Sequence, residues 1–207
     1  MPTPALAAAL ADVDTVFNGF ASPAETEDHA AVMRRLLPQC AHAMADGTLD
    51  GIGWAPHGLS RVHWRSWPPE QASAVEAFVL AWWQDVLATP TAPYPAEDVF
   101  ETCASILRTM TPLLDGWGPG PVAGAHLVGC ARSWMYDLVN DDLPVTWWEP
   151  EDRAAAVGEL RSWLARHASA RLRARGETDL AVRSELVGLP YDDRWNDPYW
   201  TSPAATN

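Results

Sequence analysis

Lysine is missing from the 207 residues: all 14 basic side chains are arginine. Without a lysine amine there is no Schiff base, no pyridoxal enzyme of the usual kind and no phosphate loop of the G-x-x-x-x-G-K type. Long apolar runs are missing too. Stretches such as Ala77–Trp83 fall far short of the roughly 20 residues a membrane helix needs, so no bilayer span is expected. The Ala/Leu run of Met1–Ala11 has no basic residue ahead of it and is followed at once by Asp12 and Asp14, which argues against a secretory signal and for a cytoplasmic protein. Cysteine is sparse. Cys40, Cys103 and Cys130 are widely spaced, form no C-x-x-C and are odd in number, so buried thiols are expected rather than a disulfide framework.

The motifs of familiar chemistry are absent as well. There is no G-x-S-x-G elbow, and no cysteine sits where its thiol pKa would obviously fall. Six histidines (His29, His42, His57, His63, His126 and His167) form neither H-E-x-x-H nor a Glu-x-x-His pair. Glu25 and His29 share one helix face, but an exposed first-turn pair explains them; His57 and His63 could meet across a hairpin, yet no nearby carboxylate orients either ring. No cofactor is called for. These absences lean against an enzyme.

What is present is helical periodicity. Thr3-Pro4 opens a run with Leu6, Leu10, Val13, Phe17 and Phe20 on one face. Ser22-Pro23-Ala24-Glu25 reads as a capping box ahead of Val32, Met33, Leu36 and Leu37, with an end or kink at Pro38 and a glycine stop at Asp46-Gly47. Prolines at Trp67-Pro68-Pro69-Glu70 open a helix carrying Val75, Phe78, Val79, Trp82, Val86 and Leu87. Glu97, Asp98 and Glu101 suit the first turn of the next, which the apolar pattern carries through Cys103, Ile106 and Met110 to Leu114. A wide apolar face from Val122 to Val139 predicts a mostly buried helix, and further helices are expected around Leu160, Leu172 and Leu186. Ile52 and Trp54, then Val62, Trp64 and Ser66, suit either a small β-hairpin near residues 49–66 or a loop with one short helical turn.

The expected fold is therefore all-α, an antiparallel helical array or orthogonal bundle of about seven to nine helices. One helical domain is expected over residues 1–188, with a sub-boundary near the glycine- and proline-rich residues 115–121, followed by an aromatic and acidic tail over 189–207.

Two features stand out. The first is charge: 27 acidic residues leave a net charge of −13, yet residues 161–175 hold five arginines and no acid. Arg161, Arg171, Arg173 and Arg175 are candidates for contacting phosphate or an acidic partner surface, or for pairing with the protein's own Asp192, Asp193 and Asp197. The overall charge disfavours nucleic acid. Asp137, Asp141 and Asp142 are candidate Mg²⁺ ligands, being hard oxygen donors clustered where the helix dipole disfavours them. The second feature is 12 tryptophans. Trp82, Trp134 and Trp163 occupy core positions, whereas Trp147, Trp148, Trp195 and Trp200 lie outside helical patterns and are candidates for a recognition surface. The reading that follows is a non-enzymatic interaction protein, an acidic scaffold that neutralises or adapts a basic protein in the manner of an immunity protein. The alternative is a small helical enzyme or ligand-binding protein with an aspartate-based, Mg²⁺-dependent site.

Overall fold

A computed structural model describes residues 2–17, 29–49, 52, 58–145 and 151–201. These residues contain no β-strand; the fold is an all-α array. The chain divides into two units, Met1–Gly116 and Trp117–Asn207.

In the first unit the long helix α4 (Pro69–Ala88) is the centre, because Val75, Phe78, Val79, Trp82, Trp83 and Val86 bury apolar surface on more than one side of it. Against it pack α1 (Pro4–Phe17), α5 (Ala96–Leu107) and the short α6 (Thr111–Asp115), while α2 (His29–Asp46) packs on α1. Rings fill the crossings: Phe17 meets Trp67 edge-on at 5.9 Å and Trp83 meets Phe100 at 5.6 Å. The chain start is tied down by Thr3 N–H, which donates to Asp85 of α4 at 2.5 Å.

Helix α2 runs through Pro38 to Asp46, since burial of Leu37, Ala41 and Met44 on both sides of the proline outweighs its lost hydrogen bond. Of the two readings of residues 49–66, the β-hairpin is not seen, and the described residues fit the other: Gly58–Arg61 form a helical turn, α3, and Trp64–Ser66 a 3₁₀ turn. What decides this is Trp64, whose indole N–H reaches the Ile106 carbonyl at 2.9 Å and pins the segment to the end of α5. Of the first arm of that hairpin, Ile52 is a buried turn residue, while Trp54, like the capping box at Ser22–Glu25, lies outside the described residues. The single helix expected from Glu97 to Leu114 is also corrected. Arg108 turns left-handed at φ 54°, ending α5, and Thr111-Pro112 starts α6.

In the second unit, α7 (Pro121–Val139) packs on α9 (Ser169–Ala174) and α10 (Thr178–Leu186). Helix α8 (Arg153–Trp163) runs into α9 through a π-turn, Leu164–Ala168, with Leu164 and Ala168 buried. The C-terminal segment adds α11 (Tyr191–Trp195) and a 3₁₀ turn at Pro198–Thr201.

Candidate functional site

Helix ends leave carbonyls without partners, and the site grows from how this chain satisfies them. Three helices end in the same six-to-one closure: Thr48 N–H to Ala43 O at 2.9 Å, Asp142 N–H to Asp137 O at 2.9 Å and Glu177 N–H to Leu172 O at 3.0 Å. Two of them place glycine at the left-handed position, Gly47 at φ 74° and Gly176 at φ 82°; the end of α7 places Asp141 there at φ 60°. A carboxylate in a glycine position needs a reason, and Asp141 has one. Its Oδ1 accepts from Arg194 Nη2 at 2.8 Å and from Arg161 Nη1.

Arg194, on α11, is fully buried and is the sole charged side chain in the core among the described residues. Its Nη1 donates to the last carbonyls of α7, Leu138 at 3.1 Å and Val139 at 2.6 Å, and its Nη2 also reaches Leu189 O at 3.1 Å. Arg161 completes the knot, with Nε on Val187 O at 2.5 Å and Nη2 on Leu189 O at 2.6 Å. Burial, and then the neighbouring Arg194 charge, lower the Arg161 pKa from its ordinary value. Of the other two candidate metal ligands, Asp142 is exposed and Asp137 half-buried, its pKa raised by burial and by the Asp142 charge. Two guanidinium charges thus sit where a cation bound by Asp141 would have to be, and among the described residues no three His, Cys, Asp or Glu side chains are grouped to hold a metal ion.

Of the arginines of 161–175, Arg161 and Arg171 are half-buried and Arg166, Arg173 and Arg175 are exposed. Arg171 donates to Trp117 O at 3.0 Å and Gly118 O at 2.6 Å, with its pKa lowered by burial. Arg175 lies against Gly124, where an added Cβ would come within 2.9 Å of the guanidinium. Arg173 forks onto exposed Glu185 at 2.6 and 2.7 Å, which lowers the carboxyl pKa. The carboxylates engaged by this strip are therefore Asp141 and Glu185, not the expected Asp192, Asp193 and Asp197.

Of the four candidate recognition tryptophans, Trp147 and Trp148 lie outside the described residues. Trp195 and Trp200 come together, stacked at 4.8 Å with 29° between planes, and Trp200 is fixed by its indole N–H on Arg194 O at 2.7 Å. Tyr191 adjoins Trp195 at 6.3 Å and Tyr199 meets Trp200 edge-on at 4.9 Å. Arg183 sits 6.0 Å from both the Tyr199 and Trp200 rings and pairs with Asp179 at 2.9 Å. Sequence reasoning missed Tyr191, Tyr199, Arg183 and Arg194. A spacing of four through Tyr191, Trp195 and Tyr199 is the signal that would have found the rings.

The first unit carries a different feature, an open groove of about 510 Å³ lined by Asp14, Pro38, Gln39, His42, Ala43, Asp46 and Thr48. Across it His42 Nε2 lies 3.0 Å from Asp14 Oδ2, linking α2 to α1. Glu25 lies outside the described residues, as does His57, and His63 is exposed.

Charge is sorted by sign in both units. Arg65 donates to Leu107 O and Arg108 to Ser60 O, each at 2.8 Å, as Arg161, Arg171 and Arg194 do to carbonyls of the second unit. No Asp or Glu among the described residues is buried. In both units some arginines thus donate to backbone carbonyls, while others pair with carboxylates at the surface. The chain matches no protein-family model, no curated protein and no solved structure.

Proposed function

We propose that this chain is a non-enzymatic interaction protein whose negative helical surface recruits a basic protein partner in the cytoplasm, as an adaptor or as a neutralising, immunity-like protein. The observation that carries this reading is the sorting of charge: guanidinium groups close helix-end carbonyls while carboxylates remain at the surface. Residues 1–116 hold 14 acids against five arginines and residues 117–207 hold 13 against nine, so each unit is net negative before any inward use of arginine is counted. Such a field speeds encounter with a basic surface and repels polyanions. Trp147 and Trp148 are the proposed contacts outside the described residues, with Trp195 and Trp200 on the second unit.

The test is kinetic. A partner recovered by affinity capture should be basic, and its association rate should fall about tenfold or more between roughly 0.01 M and 0.15 M salt, as the Debye length shrinks from about 30 Å to about 8 Å. Replacing Trp147 and Trp148 by alanine should weaken the complex without unfolding the protein. An association rate indifferent to salt, or turnover of a small metabolite by the purified chain, overturns the proposal.

A further inference from the structure

Of residues 189–201, only Arg194 is buried. Tyr191 and Trp195 keep 49% and 39% of their surface in solvent, and the Trp200 indole bonds within the segment, to Arg194 O. What ties the segment to the rest of the second unit is polar: Arg194 at the end of α7, Arg161 on Leu189 O, and the Tyr199 hydroxyl between Asp179 and Arg183. With so little apolar area in the core, releasing it costs far less than opening α7, which buries Leu127, Trp134, Met135 and Leu138.

The groups that hold Arg194 belong mainly to α7 and its cap. Nη1 donates to Leu138 O at 3.1 Å and Val139 O at 2.6 Å, and Nη2 to Asp141 Oδ1 at 2.8 Å; the Leu189 carbonyl alone comes from the start of the segment. This cage keeps its shape without Arg194. The closure from Asp142 N–H to Asp137 O fixes the backbone, and Arg161 holds Asp141 Oδ1 in place while itself anchored on Val187 O. Two carbonyls at the negative end of a helix, beside a carboxylate, suit the planar fork of a guanidinium better than the compact ammonium of lysine. The internal occupant is also an imperfect one. Its Nε is buried with no acceptor among the described residues, a cost borne only while the segment is docked.

We propose that the end of α7 is a binding site for an arginine side chain of a basic protein, that Arg194 fills it as a tethered occupant, and that residues 190–201 lift away as a strap when the incoming arginine takes its place. This rests on the interaction reading above and gives it a location and a gate. Tethering holds Arg194 at the cage at an effective concentration of about the millimolar range. A lone arginine therefore competes poorly, and further contacts between a basic protein and the negative surface tip the exchange.

The experiment follows amide hydrogen exchange of the full chain, at fixed ionic strength, alone and with an arginine-only or a lysine-only hexapeptide. In the protein alone, amides of 191–201 should exchange faster than those of α7. The arginine peptide at saturation should speed exchange across 191–201 about tenfold, because it binds the lifted state selectively, and the lysine peptide should leave it unchanged. A second measurement uses Arg194→Ala and supplies the missing group as ethylguanidinium. That cation should raise the melting temperature of the variant by about 1 °C or more, whereas ethylammonium on the variant, or ethylguanidinium on the parent protein, should not. Exchange across 191–201 as slow as in α7, an arginine peptide that binds without speeding it, an equal response to both peptides, or a folded Arg194→Ala indifferent to ethylguanidinium each overturns the site alone. If Arg194→Ala does not fold, exchange in the parent protein decides. Binding of neither peptide by calorimetry overturns the site together with the charge-based function.

Discussion

Asp141 and Arg194 meet at the end of α7, at 2.8 Å. Asp141 occupies a left-handed position that glycine fills at two other helix ends, so its retention is explained by Oδ1, which joins the guanidinium groups of Arg161 and Arg194. Asparagine tolerates the same backbone conformation, which makes Asp141→Asn a clean removal of charge. It should cost about 1.5–3 kcal/mol, the range for hydrogen bonds to charged groups. Arg194→Ala should cost more, about 3–5 kcal/mol, because it leaves the carbonyls of Leu138 and Val139 without their donor and unpairs a carboxylate. Urea unfolding of both variants at neutral pH checks the order, and an Arg194→Ala loss below that of Asp141→Asn would mean the carbonyl cage contributes little. The sequence singled out Asp141 as a carboxylate at an unfavourable helix end, but Arg194 and the pairing between them were not legible. A fully buried arginine reads like any surface arginine until the fold supplies carbonyls around it, and the strip at 161–175 gave no sign that Asp141 and Glu185, rather than the acids nearest the C-terminus, would meet it.

At the level of elements, glycines divide into those that shape an end and those that merely interrupt a helix. Gly47 closes α2 at φ 74°, and a Cβ there would lie 2.3 Å from the Pro93 Cβ; Gly158 lies inside α8 with nothing within 4 Å of an added Cβ. Alanine should therefore act with opposite signs, destabilising at Gly47 by more than 1 kcal/mol and stabilising at Gly158 by about 0.5–1 kcal/mol. Melting temperatures of the two variants read this directly, and a gain at Gly47 would refute the left-handed closure. The Gly47 stop and the α4 start at Pro68-Pro69 were legible because they depend on local chain chemistry. Elsewhere local signals misled. Val62, Trp64 and Ser66 alternate like a strand, but the segment is helical because the Trp64 indole finds the Ile106 carbonyl 42 residues away. Likewise the apolar pattern from Cys103 to Leu114 bridges a break, since Arg108 turns left-handed while its guanidinium reaches Ser60 O. For the candidate site, the sequence singled out Trp195, Trp200 and the acidic excess, whereas the tyrosines and Arg183 that complete the aromatic array came only with the fold.

For the molecule as a whole, two electrostatic effects compete, and their balance can be measured. Three exposed ion pairs, Arg132–Glu177, Arg173–Glu185 and Arg183–Asp179, favour the folded state, each by about 0–1 kcal/mol, and added salt weakens them. Acids in first turns, such as Glu70, Glu97 and Asp98, also lose part of their dipole attraction in salt. Opposing these is self-repulsion at a net charge of −13, concentrated at the surface because no described carboxylate is buried and much of the arginine faces backbone. With 27 acidic residues against 14 arginines, screening relieves more repulsion than it removes attraction. The urea midpoint should therefore rise between about 0.01 M and 0.15 M salt, with the slope of the transition unchanged. Urea is the right denaturant because it carries no charge of its own. A midpoint that falls would mean the exposed pairs outweigh the repulsion, and the negative surface would then be too well compensated within the chain to act as the recruiting field proposed for it.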